Sequence, residues 1–140
     1  MNNPPVTVLM SVYNGARYLG EAIDSILGQT YRDFEFLIID DGSTDDSIDI
    51  INGYEDPRIR LQQHPNRGLA ESLRQGVIDA RGDIIVRADQ DDISHYRRFE
   101  EQITYLNQTR SVGLVRTLLE IINANGTTIS GCTGETSLVT

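Results

Sequence analysis

Four short apolar runs rich in β-formers alternate with four amphipathic runs, and each apolar run stops at polar or acidic residues. That alternation restricts the chain to few folds, because strands joined by helices pair in parallel through right-handed crossovers. Val6-Thr7-Val8-Leu9-Met10-Ser11-Val12 and Phe34-Glu35-Phe36-Leu37-Ile38-Ile39 have the nearly continuous apolar character of strands covered on both faces. Arg58 to Gln63 reads as a short third strand and Asp83 to Ala88 as a fourth. Between and after them, helical stripes carry Leu19, Ala22, Ile23, Ile26 and Leu27, then Ile48, Ile51 and Tyr54, then Ala70, Leu73 and Val77, and finally Phe99, Ile103 and Leu106. Ser43 to Asp46 offer N-cap chemistry for the second helix, Asp56-Pro57 ends it, and Gly82 sits where a C′ glycine would end the third. A fifth strand is expected over Val112 to Val115, and a hairpin over Thr117 to Ile129 with Asn125-Gly126 inside it. The predicted architecture is α/β, a mainly parallel sheet flanked by helices, in one domain over residues 1–140 with a frayed tail at 131–140.

In open parallel sheets, ligands bind beyond the C-terminal ends of the strands. Those ends carry Tyr13-Asn14, Asp40-Asp41 and Asp89-Gln90-Asp91-Asp92, so three polar clusters distant in sequence should meet at one edge. Asp89 and Asp91, two residues apart on extended chain, can both approach one hard cation such as magnesium, manganese or calcium. The structural alternative is a solvated acidic turn that caps the next helix. An EF-hand is excluded, because the loop lacks the required glycine and distal glutamate. Asp41 can accept from a base N–H or a ribose hydroxyl, or can simply belong to a tight turn with Gly42 and Ser43. Tyr13 can stack on a nucleobase, with Asn14 beside it as a second candidate substrate-binding residue, or Tyr13 can pack in the core. Arg67 is a candidate phosphate partner, or an exposed loop arginine. His64 and His95 have no acidic or cysteine partner at ligand spacing and read as surface residues.

The chain of 140 residues carries a net charge of −9, which disfavours nucleic acid and anionic lipid as partners, since both need Lys and Arg to neutralise phosphate. A divalent cation would let so acidic a site attract a diphosphate all the same. No Gly-x-Gly-x-x-Gly run follows the first strand and no Walker lysine is present, which excludes the dinucleotide-cofactor and P-loop readings. Cys132 is the single cysteine, so no intrachain disulfide or cysteine-based zinc site can form. This fits a reducing compartment, and the expected location is the cytoplasm, with peripheral attachment at the inner face of the membrane left open. The N-terminus resembles no signal peptide, and no apolar stretch approaches the ~20 residues of a transmembrane helix.

Taken together, the segments VLMSVYN (Val8 to Asn14), YLGEAIDSILGQTY (Tyr18 to Tyr31), DFEFLIIDDGSTD (Asp33 to Asp45), DPRI (Asp56 to Ile59), NRGL (Asn66 to Leu69) and RGDIIVRADQDDI (Arg81 to Ile93) resemble glycosyltransferase family 2. These are inverting enzymes with the GT-A, Rossmann-like nucleotide-diphospho-sugar transferase fold. The resemblance implies that Tyr13 stacks near the base and that Asp41 reads the base edge. It further implies that Asp89 and Asp91 form the ends of an Asp-x-Asp motif, with Asp89 towards ribose and metal and Asp91 the main metal ligand. The implied cofactor is manganese or magnesium, and the implied donor is a nucleotide-diphospho-sugar. Asp41, able to accept from N3–H of uracil or thymine, tilts the nucleotide towards UDP or dTDP.

The sequence departs from the family at Ser11 and Tyr96, where many members have proline, and at Arg67, where many have an apolar residue. The family's general base lies downstream of Thr140, and so does its acceptor-binding portion. The chain therefore reads as a truncated donor-binding domain, expected to be inactive in isolation. The alternatives are a non-catalytic nucleotide-sugar-binding or regulatory module, and a degraded scaffold that binds nothing.

Overall fold

The computed structural model of the chain describes residues 4–109 and 111–131. Strands β1 (Val6–Val12), β2 (Phe34–Asp40), β3 (Ile59–Gln63) and β4 (Ile84–Asp89) form a parallel sheet in the order β3-β2-β1-β4. Helices α1 (Ala16–Leu27), α2 (Ser47–Asn52) and α3 (Leu69–Asp79) connect them in turn. The expected α/β class and parallel sheet are what the structure has. The central strands are as buried as their composition demands: Val6, Val8, Met10, Val12, Phe36 and Ile38 are all inaccessible to solvent. Each such side chain contributes about 1.5–3 kcal/mol over its exposed state.

Strand periodicity of two divides these side chains between the faces of the sheet. Leu9, Leu37 and Ile39 share one face, where Leu73 of α3 and Ile85 of β4 pack against them. Close approach of α3 depends on Gly76, since a Cβ there would collide with the Leu9 side chain. The buried positions of α3 are therefore Ser72 and Gly76, while Val77, expected on the inward stripe, is 56% exposed and Ala70 is exposed. Small residues bring the helix close, so of the expected stripe only Leu73 faces the core. Helix α1 follows its predicted stripe, with Leu19, Ala22, Ile23 and Ile26 buried. Tyr54 beyond α2 ties back to α1: its hydroxyl lies 2.9 Å from the Asp24 carboxylate and 3.1 Å from the Gly20 carbonyl. Burial and the Asp24 carboxylate push that phenol up to about 12.

Gly82 does not end α3 in the left-handed region; the helix stops at Asp79 with Ala80 extended. Gly82 is small for another reason: its Cβ would meet the Val6 and Thr7 backbone, and its N–H donates to Thr7 Oγ1 at 2.9 Å.

The chain divides into two compact units between Tyr96 and Arg97. The second holds α4 (Arg98–Gln108), with Phe99 and Ile103 buried, and an antiparallel pair, β5 (Glu120–Ile122) with β6 (Thr128–Gly131). This is the expected hairpin. It turns through Gly126 at φ +78°, and Asn123 Oδ1 accepts from the N–H groups of Asn125 and Thr127. The expected fifth strand over Val112 to Val115 is absent; only Leu114 makes an isolated bridge. Three apolar residues and a glycine have the composition of a strand, but among the described residues no strand pairs along them. Apart from Gly131, the expected frayed tail at 131–140 lies outside the described residues, as does Cys132.

Candidate functional site

β2 lies on one side of β1 and β4 on the other, so the strand order reverses at β1. Chain connections leave a crevice at such a switch point, beyond the C-terminal strand ends. A cleft of about 420 Å³ opens there, reached by Ser11 and Tyr13 from β1, Asp41 after β2, Gly68 and Leu69 at the start of α3, and Arg87, Asp89, Gln90 and Asp91 from β4. Three of the polar clusters expected to converge do so.

The junction between β1 and α1 is held by side chains. Tyr13 N–H donates to Gln90 Oε1 at 2.9 Å, and Gln90 Nε2 donates back to the Tyr13 carbonyl at 3.2 Å. Gln90 thus pairs with Tyr13 as a neighbouring strand would, across 77 residues of sequence. Gly15 leaves the room, because a Cβ there would strike the Gln90 amide. The next three N–H groups are also taken: Asn14 donates to Ser43 Oγ, Gly15 to Ser47 Oγ and Ala16 to Asp45 Oδ2, each at 3.0 Å. Ser43, Asp45 and Ser47 therefore serve the start of α1. The residue at the N-cap of α2 is Asp46, and it makes no side-chain cap. Helix N-termini bind phosphate through free N–H groups. Here the N–H groups of Asn14, Gly15 and Ala16, leading into α1, are consumed internally, which agrees with the lack of a glycine-rich phosphate loop. Tyr13 itself stays 48% exposed at the cleft.

Asp41 is 2% exposed, yet its carboxylate lines the cleft. Oδ1 accepts from Arg67 N–H at 2.7 Å and Oδ2 from Gly68 N–H at 2.9 Å. His64 Nδ1 stands 3.3 Å from Oδ1, and its Nε2 lies 3.4 Å from Ser72 Oγ. Asp41 thus clamps the loop that leads into α3. The local sequence provides for this: Gly42 at φ +77° turns the chain where a Cβ would press on Asn66 N. His64, read as a surface residue, has a side chain only 12% exposed and lies against Asp41. The partner that sequence spacing did not reveal comes from a neighbouring strand end.

On β4, Val86 and Ala88 are buried while Arg87 and Asp89 point the other way. Arg87 Nη2 donates to Asp89 Oδ1 at 2.8 Å and Oδ2 at 3.1 Å, and Nε to Oδ1 at 3.0 Å. The two side chains are 56% and 42% exposed. Asp91 is exposed, and its carboxylate makes no hydrogen bond or ion pair among the described residues.

Tyr13, Asp41, Asp89 and Asp91 are thus brought together, and Asn14 and Arg67 are not among the residues lining the cleft. Asn14, at φ +49°, turns its carboxamide to Thr44, whose N–H donates to Oδ1 at 2.8 Å. Arg67 contributes its backbone N–H to Asp41. The cation lining the cleft is Arg87, which the sequence reading passed over. Period-two alternation through Val86-Arg87-Ala88-Asp89 was the signal that places it beside Asp89. Among the described residues, no three His, Cys, Asp or Glu side chains cluster as a complete metal cage. Magnesium-type ions, however, are commonly held by one or two carboxylates with substrate phosphates and water. Asp89 and Asp91 suit that kind of site.

A family model described as glycosyl transferase family 2 matches residues 7–129. EpsE of Bacillus subtilis (strain 168) is 39% identical over 129 residues, which cover 89% of this chain and 46% of EpsE. The chain thus spans about half the length of that relative. Among solved structures, the mannosyltransferase PcManGT from Pyrobaculum calidifontis, in complex with GDP-Man and Mn2+, superposes with a TM-score of 0.68 at 28% identity, over 74% of this chain and 32% of that one. S. aureus TarS 1-349 in complex with UDP-GlcNAc gives 0.70 at 20% identity, over 86% and 41%, a likeness of fold. With the sheet, the switch-point cleft and these matches agreeing, the chain belongs to glycosyl transferase family 2 and has its GT-A fold.

Proposed function

We propose that this chain is the donor-binding part of an inverting, metal-dependent glycosyltransferase that moves a sugar from a nucleotide-diphospho-sugar to a hydroxyl acceptor. The observation that carries the reading is the meeting of Tyr13, Asp41, Asp89 and Asp91 around one cleft. Asp41 follows β2 and Asp89 ends β4, strands on opposite sides of β1, so the two lie roughly two strand spacings or about 10 Å apart. An elongated ligand, with a base at one end and a diphosphate at the other, suits such a cleft. Tyr13 lies between them and offers an aromatic face to the base, a contact worth about 1–3 kcal/mol.

Asp41 favours a pyrimidine. A carboxylate has about four acceptor positions in all. Oδ1 already faces Arg67 N–H and His64 Nδ1, whereas Oδ2 faces Gly68 N–H alone. The remaining position on Oδ2 matches the single N3–H of uracil or thymine. Guanine offers two adjacent donors and would call on both oxygens. UDP or dTDP is therefore the proposed nucleotide, although PcManGT was solved with GDP-Man.

Asp89 and Asp91 would hold manganese or magnesium, which when bound supplies positive charge to the departing diphosphate. The chain's own residues orient the donor: Gln90 fixes Tyr13, and the Asp41 clamp fixes the loop that borders the cleft. Inversion requires a base that deprotonates the attacking hydroxyl. No described residue is assigned that role. Calorimetry with UDP, dTDP and GDP, each with manganese or with EDTA, tests the reading. It predicts metal-dependent binding with the pyrimidine nucleotides ahead. Failure of all three to bind would overturn it, and equal binding in EDTA would remove the metal from it.

A further inference from the structure

The cleft holds three carboxylates, Asp41, Asp89 and Asp91, and one guanidinium, Arg87, among its lining residues. That guanidinium is not aimed at open solvent. It forks onto Asp89 through three contacts of 2.8 to 3.1 Å, so both oxygens of a proposed metal ligand are engaged when no donor is present. The pair sits on one strand, two residues apart, on the same side of β4. It is also exposed at both ends, at 56% and 42%. Exposed ion pairs are worth about 0–1 kcal/mol, so this one is readily exchanged for a better partner.

We infer that Arg87 is an exchangeable counter-ion: it occupies Asp89 in the donor-free state and passes to the diphosphate of the donor, freeing Asp89 for the metal. This rests on the donor-binding reading above. Arginine is suited to the handover, because its planar fork pairs with a carboxylate and a phosphate in the same bidentate manner. The exchange keeps the acidic charge of the site partly offset at each stage. Before binding, Arg87 offsets Asp89 in a chain of net charge −9. After binding, the guanidinium and a divalent cation together offset most of the charge of the diphosphate and the two aspartates. The consequence is coupling. Metal arriving alone must displace Arg87, whereas metal arriving with the diphosphate need not, so each raises the other's affinity.

A purely structural role makes the opposite prediction. If Arg87 merely holds Asp89 in place for the metal, removing Arg87 weakens the metal site. If Arg87 competes for Asp89, removing it strengthens binding of metal alone and weakens binding of the nucleotide.

The test measures Mn2+ affinity by the paramagnetic resonance of free Mn2+, without nucleotide, and then UDP affinity in saturating Mn2+ by calorimetry. Arg87→Gln is expected to bind Mn2+ alone about two- to fivefold more tightly, the factor that an exposed ion pair of up to about 1 kcal/mol represents. It is expected to bind UDP about tenfold more weakly, as loss of a charged hydrogen-bond partner implies. Arg87→Lys keeps the charge without the fork and should fall between the two proteins in both measurements. Arg67→Gln removes an equal charge that is not paired with Asp89, and should change Mn2+ affinity by less than about twofold. Unchanged or weaker Mn2+ binding by Arg87→Gln overturns the exchange, and so does an equal gain in Arg67→Gln. Unchanged UDP affinity overturns the handover to phosphate. Absence of nucleotide binding by the unaltered chain overturns the donor reading itself, and the Mn2+ measurement alone tells that failure apart.

Discussion

The two ends of the parallel sheet carry carboxylates in opposite circumstances. At the N-terminal end, Glu35 is 5% exposed and held by three hydrogen bonds. Its Oε1 accepts from Thr7 Oγ1 and from Arg81 N–H, both at 2.6 Å, and its Oε2 accepts from Arg60 Nε at 3.1 Å. At the C-terminal end, Asp91 is exposed without such partners and Asp89 is tied only by an exposed ion pair. Burial pushes the Glu35 carboxyl up, but the bonds from Thr7, Arg81 and Arg60, with the Arg60 charge, outweigh it and hold it below the ordinary range. The difference separates two uses of charge on one scaffold. A buried carboxylate bonded in this way joins β1, β2, β3 and the turn before β4, and it lines no part of the cleft. An exposed one with few partners adds little to folding and, on the proposed reading, keeps its lone pairs for a cation. Asp41 stands between, clamping a loop with most of its acceptor capacity and keeping the rest at the cleft.

The comparison can be broken first at Glu35. Glu35→Ala strands Arg60 and Thr7 and should cost about 3–5 kcal/mol, as loss of one partner of a buried pair does. Urea unfolding measures it, and a cost below about 1 kcal/mol would mean the network is ornamental. The pH dependence has a fixed sign. Glu35 has a folded pKa lower than its unfolded one, so its stabilisation is complete above the unfolded value of about 4.3 and is lost as pH falls through the folded value. The stability gap between the unaltered protein and Glu35→Gln should therefore be greatest near neutrality and shrink in acid.

A smaller effect is expected where the two uses meet. Gln90→Ala removes both bonds to Tyr13, at about 0.5–1.5 kcal/mol each, while Asn14 to Ala16 remain held by the loop after β2. The loss of stability should be modest and the loss of UDP affinity larger in proportion. If UDP binding is unchanged, Gln90 does not position Tyr13.

The sheet was legible in the sequence because β1 and β2 are buried on both faces, and such strands must be apolar throughout. The site was legible from the strand-end rule, which needs only the strands and their order along the chain. What escaped the reading depended on partners far away in sequence. Arg67 looked like the phosphate cation because it sits in a loop, yet the loop's contribution is its backbone N–H to Asp41. Arg87 was hidden within a strand, where alternation alone told which way it pointed. Ser43 to Asp46 carried the signature of a cap for the following helix; Asp45 Oδ1 does accept the Ser47 N–H there, but Ser43 Oγ and Asp45 Oδ2 serve the start of the earlier helix α1. Val112 to Val115 failed for the converse reason: strand composition without a strand to pair with.

The smallest expected change in stability accompanies the most telling change in binding. Asp91→Asn alters an exposed side chain and should leave stability within about 0.5 kcal/mol. Paired calorimetry and thermal unfolding of this variant in UDP and manganese test the central claim that the C-terminal end of the sheet is a metal-completed nucleotide-diphosphate site. An unchanged melting temperature without ligand is expected, with UDP binding in manganese reduced to its level in EDTA. A variant that binds UDP in manganese as the unaltered chain does would contradict it.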